Sequence, residues 1–297
     1  MRDRQSEFPN AGFASETPDA TLRIHRNDLQ PEVRAYADNL RDQVRDIWQA
    51  HGVRSVDEFE TAARAKRIPR AQVKEVHDIL ERLHEVVEGK ITPEILAQLK
   101  EQEYLKEERL KQAKTLFDKG WGEAPGYTTL DQYLDTIPDA PPQPEQWKGR
   151  FDRLVLVDDR IPLTKACQLA ELKFDGDDQT FVQFDSSVPA PGVYWIYAND
   201  GRQNSGLIID SCRAAFRSDE RGLTAIEGIS LYIHDSTSIQ NHTMDLTGSV
   251  RAIRSNDTAF LGDWGGGPQL EWRFSGSAIL NCGTASRGEF SALPTSS

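Results

Sequence analysis

The chain has 297 residues, of which 28% are charged, and its formal net charge is −12. This length predicts about two domains, each able to bury a core. The negative charge repels nucleic acid and anionic membranes on average, so either partner would require a local basic patch. No apolar run approaches the ~20 residues that span a bilayer, and the start of the chain shows no secretory signal. We therefore expect a cytoplasmic protein without a membrane partner.

The N-terminal half has the spacing of amphipathic helices after an aperiodic arm. Residues 1–28 mix proline, asparagine, serine, threonine and charge without periodicity, which is typical of a disordered arm. From there to about residue 118, apolar side chains recur every three or four positions, and Ser55-Val56-Asp57-Glu58 is a capping box. We expect antiparallel helices in a bundle or hairpin over 29–120. Coiled-coil self-association is the alternative.

One stretch of this half is basic. No acidic residue lies between Glu60 and Glu75, and two predicted helices meet there at a tight turn around Pro69. The arrangement loosely resembles a DNA-binding helix-turn-helix. The alternative is a solvated corner or a docking patch for an acidic partner, which the net charge of the chain favours. The basic residues are Arg64, Lys66, Arg67, Arg70 and Lys74.

Residues 121–149 are predicted to be a proline-rich linker. The stretch from Asp135 to Trp147 contains four prolines and little that could be buried. Such prolines favour an extended, semi-rigid spacer. We expect the linker to tie the helical domain to a second domain over 150–290, followed by a tail at 291–297.

The second domain has the pattern of short strands and turns, because Val, Ile, Phe, Trp and Tyr alternate with Gly, Asp and Ser. Helix candidates lie between the strands, and the best marked has a capping box at Thr224-Ala225-Ile226-Glu227. Strands with inserted helices and no βαβ regularity predict a mixed α+β domain, and an α+β class for the chain. The strand candidates are 151–157, 180–184, 193–198, 207–209, 258–261 and 269–274.

Three parts of this domain resemble a known sequence family. They are Tyr194-Trp195-Ile196 with Asp200-Gly201, then Arg221 to Gly228, and finally Trp264 to Pro268. Together they resemble a C-terminal domain that recurs in uncharacterised bacterial proteins, over about residues 150–290. The resemblance implies a bacterial origin and a defined fold, and it implies no chemistry.

No catalytic or cofactor motif stands out, and we expect no bound metal or cofactor. Gly265-Gly266-Gly267 lacks the GK[ST] of a phosphate loop and predicts a turn between strands. Cys282 with His234 or His242 could supply a thiol nucleophile and its base, a pairing that spacing cannot test. The three cysteines, Cys167, Cys212 and Cys282, are far apart and odd in number, so buried reduced thiols are the simpler expectation.

The strongest candidate site is a polar and aromatic cluster in the second domain. Tryptophan, tyrosine and arginine are the side chains that anchor interfaces and ligand pockets. Alternatively, Trp195 belongs to the core, and Arg221 and Glu227 pair locally. The predicted ligand or partner residues are Tyr194, Trp195, Asp200, Arg202, Arg221, Glu227 and Trp264.

Three hypotheses about function remain. The first is a non-enzymatic interaction or structural protein, whose helices dock to a protein partner or self-associate while the α+β domain recognises a partner or ligand. The second is a hydrolase with its site in the C-terminal domain. The third is nucleic-acid binding through residues 64–74, which would weaken steeply with salt. We expect the first.

Overall fold

A computed structural model describes residues 29–184 and 192–289, and the predicted arm at 1–28 and tail at 291–297 lie outside them. The chain divides into two compact units between Glu101 and Gln102. The first unit is helical, and the described strands all belong to the second. The predicted α+β class is therefore confirmed. No described helix is long and apolar enough to cross a membrane.

The first unit buries the apolar faces of its helices in one core. The helices are α1 (Pro31–Ala50), α2 (Val56–Arg64), α3 (Arg70–Val87) and the first part of α4 (Pro93–Asp118). Their apolar side chains recur with the helical period, so each helix presents a continuous stripe to its neighbours. The core includes Val33, Ala37, Leu40, Val44, Trp48, Phe59, Val76, Ile79, Leu83, Val86 and Leu96.

The predicted capping box at the start of α2 is present in a modified form. The Ser55 hydroxyl accepts from the Glu58 amide at 3.2 Å. The Glu58 carboxylate accepts from the Arg54 amide at 2.8 Å, one residue earlier than a capping box requires. Both ends of the interaction still satisfy amides that the helix leaves without partners.

The second unit adds short helices and a mixed sheet of eight described strands. Single 3-10 turns lie at Glu145–Trp147, Arg202–Asn204 and Ser236–Ile239. The further helices are α5 (Leu130–Leu134), α6 (Leu163–Leu169), α7 (Ile209–Ala215) and α8 (Ala225–His234). The strands are β1 (Arg153–Asp158), β2 (Phe181–Gln183), β3 (Val193–Asn199), β4 (Glu220–Gly222), β5 (Thr243–Arg251), β6 (Arg254–Asp263), β7 (Pro268–Phe274) and β8 (Cys282–Gly288).

The strand order is β1-β3-β8-β5-β6-β7, with β2 paired to β5 and β4 paired to β8. The β5–β8 pair is parallel, and the other strand pairs are antiparallel. The two central strands, β5 and β8, were not among the predicted strands. The predicted strand at 207–209 is instead the entry to α7. The capping box at Thr224 and Glu227, which starts α8, is complete.

The segment predicted to be a linker, 121–149, belongs to the core of the second unit. Trp121, Tyr133 and Trp147 are buried there. The indole of Trp121 donates to the Asp158 carbonyl at 3.1 Å, and the Tyr133 hydroxyl donates to the Asp158 carboxylate at 2.9 Å. Because these aromatic side chains are anchored among the prolines, the division of the chain lies at Glu101 and not within 121–149.

A glutamine on α4 completes one edge of the sheet. β1 is at one end of the strand order, and Gln112 is buried against it. Its amide nitrogen donates to the Leu154 carbonyl at 2.8 Å, and its amide oxygen accepts from the Leu156 amide at 2.8 Å. One side chain thus makes the two backbone bonds that a further strand would make, and it satisfies two buried polar groups.

We expect Gln112→Leu to lower the free energy of unfolding by about 3 kcal/mol, because two buried backbone groups lose their partners. Denaturant unfolding followed by tryptophan fluorescence measures this change, since five of the six tryptophans lie in the second unit. Gln102→Leu, at an exposed position of the same helix, is the matched control and should be nearly neutral. Equal stability of the two variants would contradict the role of Gln112.

Candidate functional site

The structure distributes the seven predicted ligand residues over separate places in the second unit. Tyr194 and Glu227 lie together, and the tyrosine hydroxyl donates to the Glu227 carboxylate at 3.3 Å. The pKa of Tyr194 is raised, chiefly by burial and next by the Glu227 charge, so the phenol stays protonated. This pair is held inside the fold, because Glu227 has no exposed surface.

Asp200 and Arg202, which directly follow β3, form an ion pair with each other. Asp200 is buried and also pairs with Arg153 at 3.0 Å. Arg202 donates to the carbonyls of Thr237 at 2.6 Å and Gln240 at 3.2 Å. The charges and donors of these residues are engaged within the fold.

The two predicted tryptophans differ in exposure. Trp195 is 5% exposed, and its indole donates to the Pro138 carbonyl at 2.9 Å, which agrees with the core alternative for this residue. Trp264 is 55% exposed in the turn between β6 and β7. Its ring centroid lies 5.8 Å from that of Phe260. Neither tryptophan contacts Arg221 or Glu227 among the described interactions.

Arg221 lines a separate, open cavity of about 340 Å³ in the second unit. We call it the arginine cavity, because four of the described arginines line it. They come from α7, the loop after it, β4 and β8, and all but Arg221 were missed by the sequence analysis. The four are Arg213, Arg217, Arg221 and Arg287.

Arg213 is fixed at the cavity by bonds within the fold. Its guanidinium donates to the Thr247 carbonyl at 3.0 Å and the Thr258 hydroxyl at 2.9 Å. Asp210, one helical turn earlier, lies 3.3 Å from it. Burial lowers the pKa of Arg213 from its ordinary value, but arginine remains charged because that value is far above neutrality. The buried Nε has no hydrogen-bond partner in the described part of the chain.

Arg287 is tied to the buried carboxylate of Glu227. Its Nε lies 2.7 Å from Oε1 of Glu227, and both side chains are almost inaccessible. The other carboxylate oxygen accepts from the Thr224 amide at 2.7 Å, which is one half of the α8 capping box. Arg221 pairs instead with Glu289 at 2.8 Å. The local pairing of Arg221 with Glu227, which the sequence left open, is therefore not formed.

Arg217 differs from the other three, because it is exposed and has no ion pair with any described residue. Of the described lining residues, Glu220 is the one carboxylate. It already pairs with Arg150 at 3.1 Å and accepts from the Ser286 hydroxyl at 2.6 Å. The four arginines of the lining outnumber its one described carboxylate. Carboxylates outside the lining pair with three of these arginines, and the charge of Arg217 remains.

Two aromatic side chains complete the cavity. Phe184 is 54% exposed, and Phe216 is half-buried. The guanidinium carbon of Arg213 lies 4.2 Å from the centroid of the Phe184 ring, so the two planar groups form a cation–π contact. The cavity thus combines cationic and flat apolar surface.

The residues considered for hydrolase chemistry lie elsewhere and are engaged. His234 donates to the Leu156 carbonyl at 3.2 Å, and burial lowers its pKa to about 4. His242 lies 2.7 Å from the Asp200 carbonyl, and burial lowers its pKa as well. Burial raises the pKa of the Cys282 thiol, which disfavours the nucleophilic thiolate. None of the three side chains lines the arginine cavity.

The basic segment predicted at 64–74 lies at the corner between α2 and α3. Two of its residues pair with acids on their own helices, Arg64 with Glu60 at 2.7 Å and Lys74 with Asp78 at 2.6 Å. Such exposed pairs neutralise charge locally and add little stability. The other three, Lys66, Arg67 and Arg70, are exposed.

The arginine cavity is interpreted from its own chemistry. Comparisons of the chain with protein-family models, with curated proteins and with solved structures find no match. Within residues 29–184 and 192–289, no three His, Cys, Asp or Glu side chains are grouped as metal ligands. The four-residue spacing of Arg213, Arg217 and Arg221 would place them on one face of a helix, but α7 ends at Ala215, so this spacing does not indicate the cavity.

We expect the stability of the protein to fall as pH drops from about 6.5 to 4, in part because of His234. The unfolded histidine binds a proton near pH 6.5 and the folded one near pH 4, so acid favours the unfolded state within this window by up to about 3 kcal/mol. Denaturant unfolding at several pH values measures the slope. In His234→Gln the decline should be shallower, and an unchanged slope would contradict this assignment.

We expect Glu227→Gln to destabilise the protein by about 3 kcal/mol, because Arg287 would remain buried without its counter-charge. Glu289→Gln removes the carboxylate of the more exposed Arg221 pair and is the matched control. It should cost less than about 1 kcal/mol. Thermal and urea unfolding of both variants measure the difference. Similar losses of stability in the two variants would contradict the expectation that the buried Arg287–Glu227 pair contributes more than the exposed Arg221–Glu289 pair.

Proposed function

We propose that this protein is a non-enzymatic recognition protein whose second unit binds an anionic group in the arginine cavity. The observation that carries the proposal is the convergence of four guanidinium groups on one cavity whose single described carboxylate, Glu220, is already paired. Guanidinium groups bind carboxylate and phosphate oxygens through paired N–H donors. The cavity volume of about 340 Å³ is at the small end of the range typical of ligand pockets.

Ion pairs hold three of the four arginines before any ligand arrives. Arg213, Arg221 and Arg287 each lie within 3.3 Å of a carboxylate, which uses some of their N–H donors and restricts their rotation. Donors that are already in place lose less side-chain entropy on binding. Arg217 has no such pair with a described residue, so its charge is the one that an incoming anion would neutralise.

The lining supports binding more than catalysis. Besides the arginines it offers the hydroxyls of Ser218, Thr224 and Thr247 and includes no histidine or cysteine among the described residues. Thiol catalysis requires a cysteine, and general-base catalysis requires an unpaired base within hydrogen-bond reach. The one described carboxylate of the lining, Glu220, is paired with Arg150. His234, His242 and Cys282, which the sequence offered as a thiol nucleophile and its base, do not line the cavity. We therefore prefer the interaction hypothesis to the hydrolase hypothesis.

For the first unit we propose a docking or self-association role. It has its own buried core, and Val87 and Ile95 are exposed on either side of the turn from α3 to α4. Exposed apolar side chains of this kind contribute to protein contacts, although single ones are common on any surface. Sedimentation of the full chain at several concentrations would distinguish self-association from docking to another protein.

We expect the full-length protein to bind inorganic phosphate in the millimolar range, and Arg217→Gln to weaken this binding about tenfold, which corresponds to one lost charged hydrogen bond. Isothermal titration calorimetry measures both affinities. Arg67→Gln removes the same charge from an exposed site in the first unit and should leave the affinity unchanged. Failure of phosphate, sulfate and acetate alike to bind would overturn the proposed function.

A further inference from the structure

The aromatic side chains of the arginine cavity point to the kind of group that carries the anion, an inference that rests on the proposed function. A site for a bare inorganic anion requires only donors and positive charge. Phe184 nevertheless leaves 54% of its surface exposed, and Phe216 lines the same cavity. Exposing aromatic surface to water costs free energy, and this free energy is recovered when a flat apolar group covers the surface.

In the cavity lining, the Arg213 guanidinium lies over the Phe184 ring. The guanidinium lies 4.2 Å from the Phe184 centroid, and its bonds to Thr247 and Thr258 fix it in that position. A guanidinium held in this way is less able to turn towards an anion than a free one. It offers a delocalised plane instead, on which an aromatic ring can stack. Arg213 thus belongs to the flat surface of the cavity.

The remaining three arginines supply the charged surface. Arg221 donates to the Glu220 carbonyl at 2.8 Å and pairs with Glu289, and Arg287 pairs with Glu227, so both guanidinium charges are held at fixed places in the cavity lining. Arg217 contributes a charge with no described counter-ion. A small anion of charge between −1 and −2 matches this excess of positive charge in the lining better than a polyanion does. The charged and flat surfaces border one volume of about 340 Å³, so a single small group would touch both.

We propose that the arginine cavity binds a phosphate monoester attached directly to an aromatic ring. The phosphate oxygens accept from Arg217, Arg221 and Arg287, and the ring packs against Phe216 and the cation–π pair of Arg213 and Phe184. Direct attachment is the arrangement in which one small group reaches the arginines and the aromatic side chains of the same cavity. The same chemistry is found in a free aryl phosphate and in a phosphotyrosine side chain.

Calorimetric titration of the full-length protein with inorganic phosphate, methyl phosphate and phenyl phosphate tests the proposal. Phenyl phosphate should bind about tenfold more tightly than methyl phosphate, because the ring adds stacking and cation–π contacts. Equal affinities for phenyl and methyl phosphate would overturn the inference and leave the proposed function intact. Failure of every anion to bind would overturn both.

Two variants check that the aromatic side chains cause the preference. In Phe216→Leu the ratio of phenyl phosphate to methyl phosphate affinity should fall about fivefold, since a leucine cannot stack on a ring. Phe274→Leu changes an exposed phenylalanine outside the cavity lining and should keep the wild-type ratio. A Phe216→Leu ratio equal to that of wild type would overturn the proposed role of the ring.

A short phosphotyrosine peptide distinguishes the two sources of the ligand. Binding at least tenfold tighter than phenyl phosphate would support the inference with a phosphorylated protein as the partner, because residues flanking the ring would add contacts. Affinity equal to that of phenyl phosphate would support it with a free aryl phosphate as the ligand. Binding weaker than that of the matched unphosphorylated peptide would overturn the inference.

Discussion

Glu227 has no exposed surface, and its carboxylate lies between the start of α8 and the guanidinium of Arg287 on β8. One oxygen closes the capping box with Thr224, and the other faces Arg287 and the Tyr194 hydroxyl. A buried carboxylate is costly unless it is paired in this way. The same contact that fixes a helix against the sheet therefore places a guanidinium at the arginine cavity.

An acidic chain can still build a cationic cavity because carboxylates and guanidinium groups are distributed unevenly. The net charge of −12 is spread over the whole chain, whereas four arginines meet at one volume. Three of them are each balanced by one carboxylate that does not line the cavity, and their positions are set by that pairing. At physiological ionic strength the field of more distant acids is screened beyond about 8 Å. The positive charge of Arg217 then contributes most to the electrostatic potential at the cavity.

The sequence allowed most of the helices and the strands β1, β2, β3, β6 and β7 to be predicted, because their apolar residues keep a helical or alternating period. It did not reveal α5, the short β4, or β5 and β8, which are central to the sheet. β8 covers Cys282–Gly288 and is buried throughout, although it contains Thr284, Ser286 and Arg287. Two of these polar side chains have partners far away in sequence, Ser286 in Glu220 and Arg287 in Glu227. Hydrophobic periodicity cannot register burial that depends on such partners.

The proline-rich segment explains why the predicted aromatic site and the arginine cavity differ. Proline carbonyls are not committed to helices or sheets there, so Pro138 accepts from the Trp195 indole and Pro141 from the Tyr197 hydroxyl at 3.0 Å. Trp195, which the sequence predicted to bind a ligand, thus holds this segment in the core together with Tyr197. The arginines of the cavity come from α7, the loop after it, β4 and β8, and only the tertiary fold brings them together. A site assembled from separate elements in this way has no continuous motif, and of its four arginines the sequence indicated Arg221 alone.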